Sequence, residues 1–335
     1  MKKGIRKSIL LPGAIFLLLI MGSKTAAAGI AEGINQCIQV IIPSLFPFFF
    51  VSCWFNGKLH GVSLPLLRPV GRLLSLPNGA ESILLIGLLG GYPVGAKAVK
   101  DAYDSSAISK KTADILLGYC NNAGPAFIFG ICHILFSSVW IPWIVWSLQI
   151  ASAIITGILL PKPTEMKSFH HHSSDDTLTS VLQKSISITA MVCGWIVLFR
   201  ALLYAIDHVE YIRIYIPILA GLLELSNGAI MLKNIVSPAL RFILLSVFLC
   251  AGGLCVFLQT HSTVSSIGTG LYLPGKCIQT AISILISIPI ACLSFHEFPF
   301  SIPILVTLIC VCIWLIHRMR VKCRKTYGNY EYDRV

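Results

Sequence analysis

The chain has 335 residues, of which 56% are hydrophobic and 12% charged, and its mean hydropathy is +0.81. So little polar sequence excludes a soluble domain of ordinary composition. Lys and Arg (26) outnumber Asp and Glu (14), but the basic residues gather at the termini and in short loops, which orients a membrane protein and argues against nucleic acid as a partner.

Eight apolar runs predict full crossings near 8–30, 34–56, 112–136, 138–160, 185–206, 238–258, 277–294 and 300–317. Each is close to the roughly 20 residues needed to span a hydrocarbon core. The first follows Lys2, Lys3, Arg6 and Lys7 and ends in "TAAAGIAEG", as a cleaved signal peptide does, yet the next apolar run starts almost at once. It is read as an uncleaved transmembrane helix within 1–33. Two further segments, 79–97 and 213–232, carry Gly, Ser, Asn or Pro at their centres. Irregular backbone at membrane depth survives only against protein or a water-filled cavity, so both are predicted to be re-entrant hairpins.

Charge placement supports this arrangement. With a cytoplasmic N-terminus and hairpins that do not cross, Lys58, Arg68, Arg72, Lys100, Lys110, Lys111, Lys162, Lys167, Lys184 and the tail "HRMRVKCRK" fall inside. Glu32, Asp207, Glu210 and Glu297 fall outside, and both termini are cytoplasmic. Crossing hairpins would instead place Lys100, Lys110 and Lys111 on the outer face, against the positive-inside bias.

On this map 34–160 is a first repeat with hairpin 79–97, 161–184 a polar cytoplasmic linker, and 185–294 a second repeat with hairpin 213–232. Residues 295–335 form a last helix and basic tail. "GLLGGYPVGAKAVK" (87–100) matches "GLLELSNGAIMLKN" (221–234) in length, opening and Gly-Ala pair, and "LLGYCNNAGPAFIF" (116–129) lines up loosely with "LLSVFLCAGGLCVF" (244–257). Each copy holds three crossings, so the second is inverted relative to the first, a recurrent plan of secondary transporters.

Within "LLGGYPVGAK", Pro93 lacks a backbone donor and Gly90, Gly91 and Gly95 permit turns, which exposes amides that attract anions. Lys97 adds a full positive charge there, or else snorkels to the interface. Asn121 and Asn122 in "GYCNNAGPAFIFG" would point about 100° apart on a helix, so a single interhelical bond would not satisfy both. That favours a polar cavity over a purely structural pairing. In "LLELSNGA", Glu224 is an ionisable residue at membrane depth, a candidate for a coupling proton or sodium ion with Ser226 and Asn227 beside it, or else a wet residue of a shallow hairpin.

The tract "HHH" at 170–172, beside Asp175 and Asp176, reads as solvated linker rather than a metal site. Most of the twelve cysteines lie in apolar runs without C-x-x-C spacing and read as packing residues. The G-x-x-x-x-G-K-[ST], H-E-x-x-H and G-x-S-x-G patterns are absent, so no enzyme, cofactor or metal is implied.

The motifs "GGYPVGAK" and "CNNAGPAFIFG", in this order and preceded by "IIPSLFPFFFVSCW" at 41–54, resemble the sporulation integral membrane proteins of the YlbJ type, within the group labelled nucleoside-recognition or gate domain proteins. The resemblance covers about 30–290 and is most specific in its first half. It implies an all-α polytopic membrane protein similar to concentrative nucleoside transporters, with paired hairpins around a solute. It also implies a role in late spore formation, in which dipicolinic acid moves from the mother cell across the outer forespore membrane. The motif positions carried over are Gly91, Tyr92, Pro93, Gly95, Lys97, Asn121, Asn122, Gly124 and Pro125. "GGYP" stands here where the family commonly has "SGYP", which removes one hydroxyl from any binding role. Dipicolinate is a planar dianion suited to free amides, a lysine, two asparagines and an aromatic ring. A nucleoside would use the same amides without Lys97, and a membrane scaffold or sensor would use the motifs for packing alone.

Overall fold

The computed structural model describes residues 13, 15–17, 19, 20, 22–59, 61–163, 177–206 and 216–295. The start of the expected first span, most of the linker with its histidine tract, residues 213–215, and the span expected at 300–317 with the basic tail lie outside the described residues. Among the described residues there is no β-strand, and six helical stretches are long and apolar enough to cross a membrane. The chain is an all-α polytopic membrane protein.

The first of these stretches differs from expectation. Helix α1 (Ser23–Gln36) runs through a π-helical turn at Cys37–Ile41 into α2 (Ile42–Leu59), so the break expected between spans 8–30 and 34–56 lies inside continuous helix. The resulting stretch of 37 residues is about 55 Å long, well beyond a hydrocarbon core of roughly 30 Å. Its glycines serve packing instead of turning. A Cβ at Gly29 would come within 2.8 Å of both the Arg200 carbonyl and the Tyr204 side chain, and one at Gly33 within 3.0 Å of Val197. The long helix α9 (Leu178–Ile206) therefore lies directly against α1. The π turn immediately precedes Pro43, whose ring would otherwise meet a carbonyl four residues back. Ile30, Ile34, Ile38 and Trp54 are exposed along the opposite face, as a lipid-facing surface requires.

After the short helix α3 (Arg68–Leu73) come the arms of a helical hairpin, α4 (Glu81–Leu89) and α5 (Val94–Asp104). A helix broken in the middle follows, α6 (Lys110–Cys120) and α7 (Pro125–Leu135), and then the unbroken α8 (Ile141–Leu159). Beyond α9 the same order recurs: a hairpin of α10 (Ile216–Leu223) and α11 (Leu225–Met231), a broken helix of α12 (Pro238–Ala251) and α13 (Gly253–Thr263), and the unbroken α14 (Tyr272–Phe295). The hairpin arms hold 9, 11, 8 and 7 residues, or about 10–17 Å each, too short to cross a bilayer singly. The spans expected at 112–136 and 238–258 are both interrupted. "NNAG" at 121–124 is extended and hands over to Pro125 at the first helical position, while Gly252 adopts a left-handed conformation at φ 74°.

Candidate functional site

Each hairpin tip rests on the break of the helix that follows it, and glycines make both contacts close. At the first tip the chain turns through "GGYP", with Gly91 at φ 74°, a region that residues with a Cβ resist. A Cβ on Gly91 would lie 2.9 Å from the Gly124 nitrogen, and one on Gly95 would lie 2.4 Å from the Cys120 carbonyl. In the second hairpin a Cβ on Gly228 would lie 2.1 Å from the Gly221 Cα of the other arm, and at the break one on Gly253 would lie 3.0 Å from the Gly221 and Leu222 carbonyls.

Four helices begin at these tips and breaks: α5, α7, α11 and α13. The first amides of a helix lack intrahelical acceptors. In α5 the gap is filled by Asn121, whose Oδ1 accepts from Ala96 N at 3.1 Å while its Nδ2 donates to Thr260 Oγ1 at 2.8 Å. In α11 it is filled by Glu224, whose two carboxylate oxygens accept from Ser226 N at 3.0 Å and Asn227 N at 2.7 Å. Neither α7 nor α13 has a side-chain cap. Tyr92 joins the two halves, donating its hydroxyl at 2.9 Å to the carbonyl of Leu249, in the last turn of α12. Tyr92→Phe is expected to leave that carbonyl unpaired and cost about 1 kcal/mol, read as a lower melting temperature in detergent.

A cavity of about 50 Å³ opens where these elements meet. Leu89, Gly90, Gly91 and Tyr92 come from the first tip, Ala123, Gly124, Ala126 and Phe127 from the first break, and Glu224, Leu225 and Ser226 from the second tip. Val256 and Gln259 of α13, Val192 of α9, and Leu45, Phe48 and Phe49 of α2 complete the wall. The lining is mainly apolar, with Glu224, Ser226 and Gln259 as its polar side chains. Glu224 is 3% exposed and within electrostatic reach of Arg200.

Of the residues singled out in the sequence, the cavity gathers Gly91, Tyr92, Gly124, Glu224 and Ser226. Pro93, Gly95, Lys97, Asn121, Asn122, Pro125 and Asn227 lie outside its lining. Lys97 is about one-third exposed and pairs with Asp101 at 3.4 Å, one turn along α5; Asp101 also accepts from Asn56 at 2.8 Å. The two asparagines diverge. Asn121 ties α5 to α13, whereas Asn122 donates to the Tyr119 carbonyl at 2.7 Å and accepts from Lys276 at 3.2 Å and Gln279 at 2.8 Å. Asn227 is fully buried and donates to the Ile196 carbonyl at 3.3 Å.

Sequence reasoning did not select Gln259, Thr260, Lys276 or Gln279. A signal was present in "GKCIQTA", where Lys276 and Gln279 stand three apart and share a helix face. Lys276 precedes the apolar run at 277–294, where a lysine can ordinarily snorkel to the interface, so its burial is not evident from chain order. Arg200 is 4% exposed and pairs with Glu32, which also accepts from Tyr204. It thereby links α1 to α9.

The fold and site thus define a polytopic membrane protein in which two helical hairpins and two broken helices enclose a small central cavity. The chain is similar to the sporulation integral membrane protein YlbJ of Bacillus subtilis (strain 168), with 24% identity over 284 residues, covering 70% of this chain and 69% of that protein. That similarity supports the resemblance carried by its motifs. No protein-family model and no solved structure matches the chain.

Proposed function

We propose that the protein is a sporulation membrane transporter that moves a small anionic solute, dipicolinate above all, from the mother cell across the outer forespore membrane. The observation that carries this is the cavity lined by both hairpin tips and by the first break, where α7 begins without a side-chain cap and α11 begins at Glu224. Helix beginnings present free amides and a positive dipole end, which favour an anionic group. Discontinuous helices meeting midway through an internally repeated fold are the recurrent architecture of alternating access. The sporulation context comes from the similarity to YlbJ.

Glu224 gives the cycle its coupling. A dianion enters beside this carboxylate only once a proton or a sodium ion has neutralised it, so solute and ion travel together. A cavity of about 50 Å³ holds roughly three or four waters, less than a pyridine ring with two carboxylates. Admission therefore requires a hairpin tip to move, in keeping with an inverted pair of repeats rocking about a shared site. The polar side chains belong to packing and binding, not catalysis.

Deleting the gene in a sporulating host is expected to leave spores depleted of dipicolinate, measured in spore extracts; normal accumulation would sink this reading. Purified protein in liposomes separates transporter from scaffold. Dipicolinate flux supports the first, nucleoside flux alone supports the alternative solute, and no flux of either in correctly oriented protein supports a scaffold. Lys97→Met is expected to leave flux within about twofold, because a partly exposed i,i+4 pair is worth under about 1 kcal/mol. A large loss would return Lys97 to the solute site.

A further inference from the structure

Lys276 is 2% exposed and lies in the first turns of α14. Its Nζ donates to Asn122 Oδ1 at 3.2 Å and to Gln279 Oε1 at 2.9 Å, and both acceptors are neutral amides. Among the described residues no carboxylate forms an ion pair with it. Two ring faces also neighbour it, with the centroid of Tyr92 at 5.3 Å and that of Tyr272 at 5.9 Å, as do the thiols of Cys120 and Cys250. A buried cation held by neutral groups retains a strong attraction for an anion. The ammonium also stands one ring away from the cavity, because Tyr92 contributes to the cavity wall.

We propose that Lys276 is the charge that selects an anionic solute. When the first tip moves to admit the solute, Tyr92 leaves the ammonium and a solute carboxylate takes the ring's place against Nζ. Asn122 and Gln279 are positioning residues that hold the ammonium at the first break; the amide of Gln279 donates to Asn122 Oδ1 at 2.8 Å and completes a closed triangle with Lys276. The site then carries two signs, with the solute carboxylate at Lys276, beside Asn122 of the first break, and the coupling cation at Glu224 on the second tip. The inference rests on the anion-transport reading above and replaces Lys97 as the cation within it.

The test compares two probes of nearly equal shape, pyridine-2,6-dicarboxylate and its uncharged diamide, binding to the full-length protein in detergent by calorimetry. Wild type is expected to prefer the diacid. Lys276→Met is expected to weaken diacid binding about tenfold or more, a loss of about 1.4 kcal/mol per factor of ten, while the diamide affinity stays within about twofold. A purely structural role would weaken both probes equally, and that result, or an unchanged preference, overturns the proposal. If Lys276→Met does not yield monodisperse protein, Lys276→Gln, which keeps a hydrogen-bonding head group without the charge, is read in the same way. A wild type that binds neither probe removes the anion-transport reading itself, whereas a wild type that binds the diacid as tightly as the Lys276 variants do removes only the role of Lys276.

Discussion

Glu224→Gln is expected to uncouple solute from ion. In proteoliposomes with an imposed proton or sodium gradient, accumulation of solute should fall about tenfold, the scale set by coupling free energies of about 1–3 kcal/mol. Exchange of solute without a gradient should continue. The substitution keeps the shape of the side chain and removes its charge, so the two roles of Glu224 separate. As the cap of α11 the carboxylate accepts from Ser226 N and Asn227 N; an amide has one acceptor oxygen and loses one of these bonds, about 1 kcal/mol. That loss lowers the melting temperature slightly and does not touch the gradient. Glu224→Ala removes both bonds and should destabilise by about 2 kcal/mol as well as uncouple. Gradient-driven accumulation at the wild-type level in Glu224→Gln would show that the carboxylate only caps the helix.

The largest effect on stability is expected at hairpin glycines that pack directly against backbone. Gly87→Ala places a Cβ 1.7 Å from the Cys120 carbonyl oxygen, and Gly228→Ala places one 2.1 Å from the Gly221 Cα. Both neighbours are backbone atoms, which cannot rotate away as a side chain can. Gly87→Ala should therefore force the first hairpin off the break, and Gly228→Ala should pry the arms of the second hairpin apart, each at a cost above about 4 kcal/mol, seen as loss of folded protein on size-exclusion chromatography and thermal unfolding. Gly194→Ala in α9 is the control. Nothing lies within 4 Å of the Cβ it would add, and alanine in mid-helix should gain about 0.5–1 kcal/mol. If Gly87→Ala unfolds like the wild type, the tip does not dock on the first break.

Much of this architecture is legible in the residues. Hydropathy picks out the membrane-crossing helices because lipid penalises every polar side chain and unpaired amide along the whole length of a span. Both hairpins are visible for the same reason, since "GGYP" and "ELSN" are costly at membrane depth unless protein surrounds them. The loose match of "LLGYCNNAGPAFIF" to "LLSVFLCAGGLCVF" aligns Gly124 with Gly252, and the structure breaks a helix at both. Hydropathy misses the breaks themselves, because one glycine or a four-residue extended segment hardly changes the average over twenty residues. It also places a break at 31–33, inside α1, where Glu32 interrupts the apolar run although the helix continues there against α9.

Sequence by itself determined the class of protein, an all-helical polytopic membrane protein, and marked the two interrupted segments that fold as hairpins. These are local properties, set by what each segment costs in lipid. Tertiary structure alone decided which polar residues share a cavity. Lys97 stands next to the first tip in the chain, yet its helix carries it one turn away to Asp101, while Lys276, more than 180 residues from Tyr92 in sequence, stands 5.3 Å from its ring. Distance along a chain predicts contact only within one helix; across helices, contact is set by packing, and here glycine-to-backbone packing brings the two tips and the two breaks to one point.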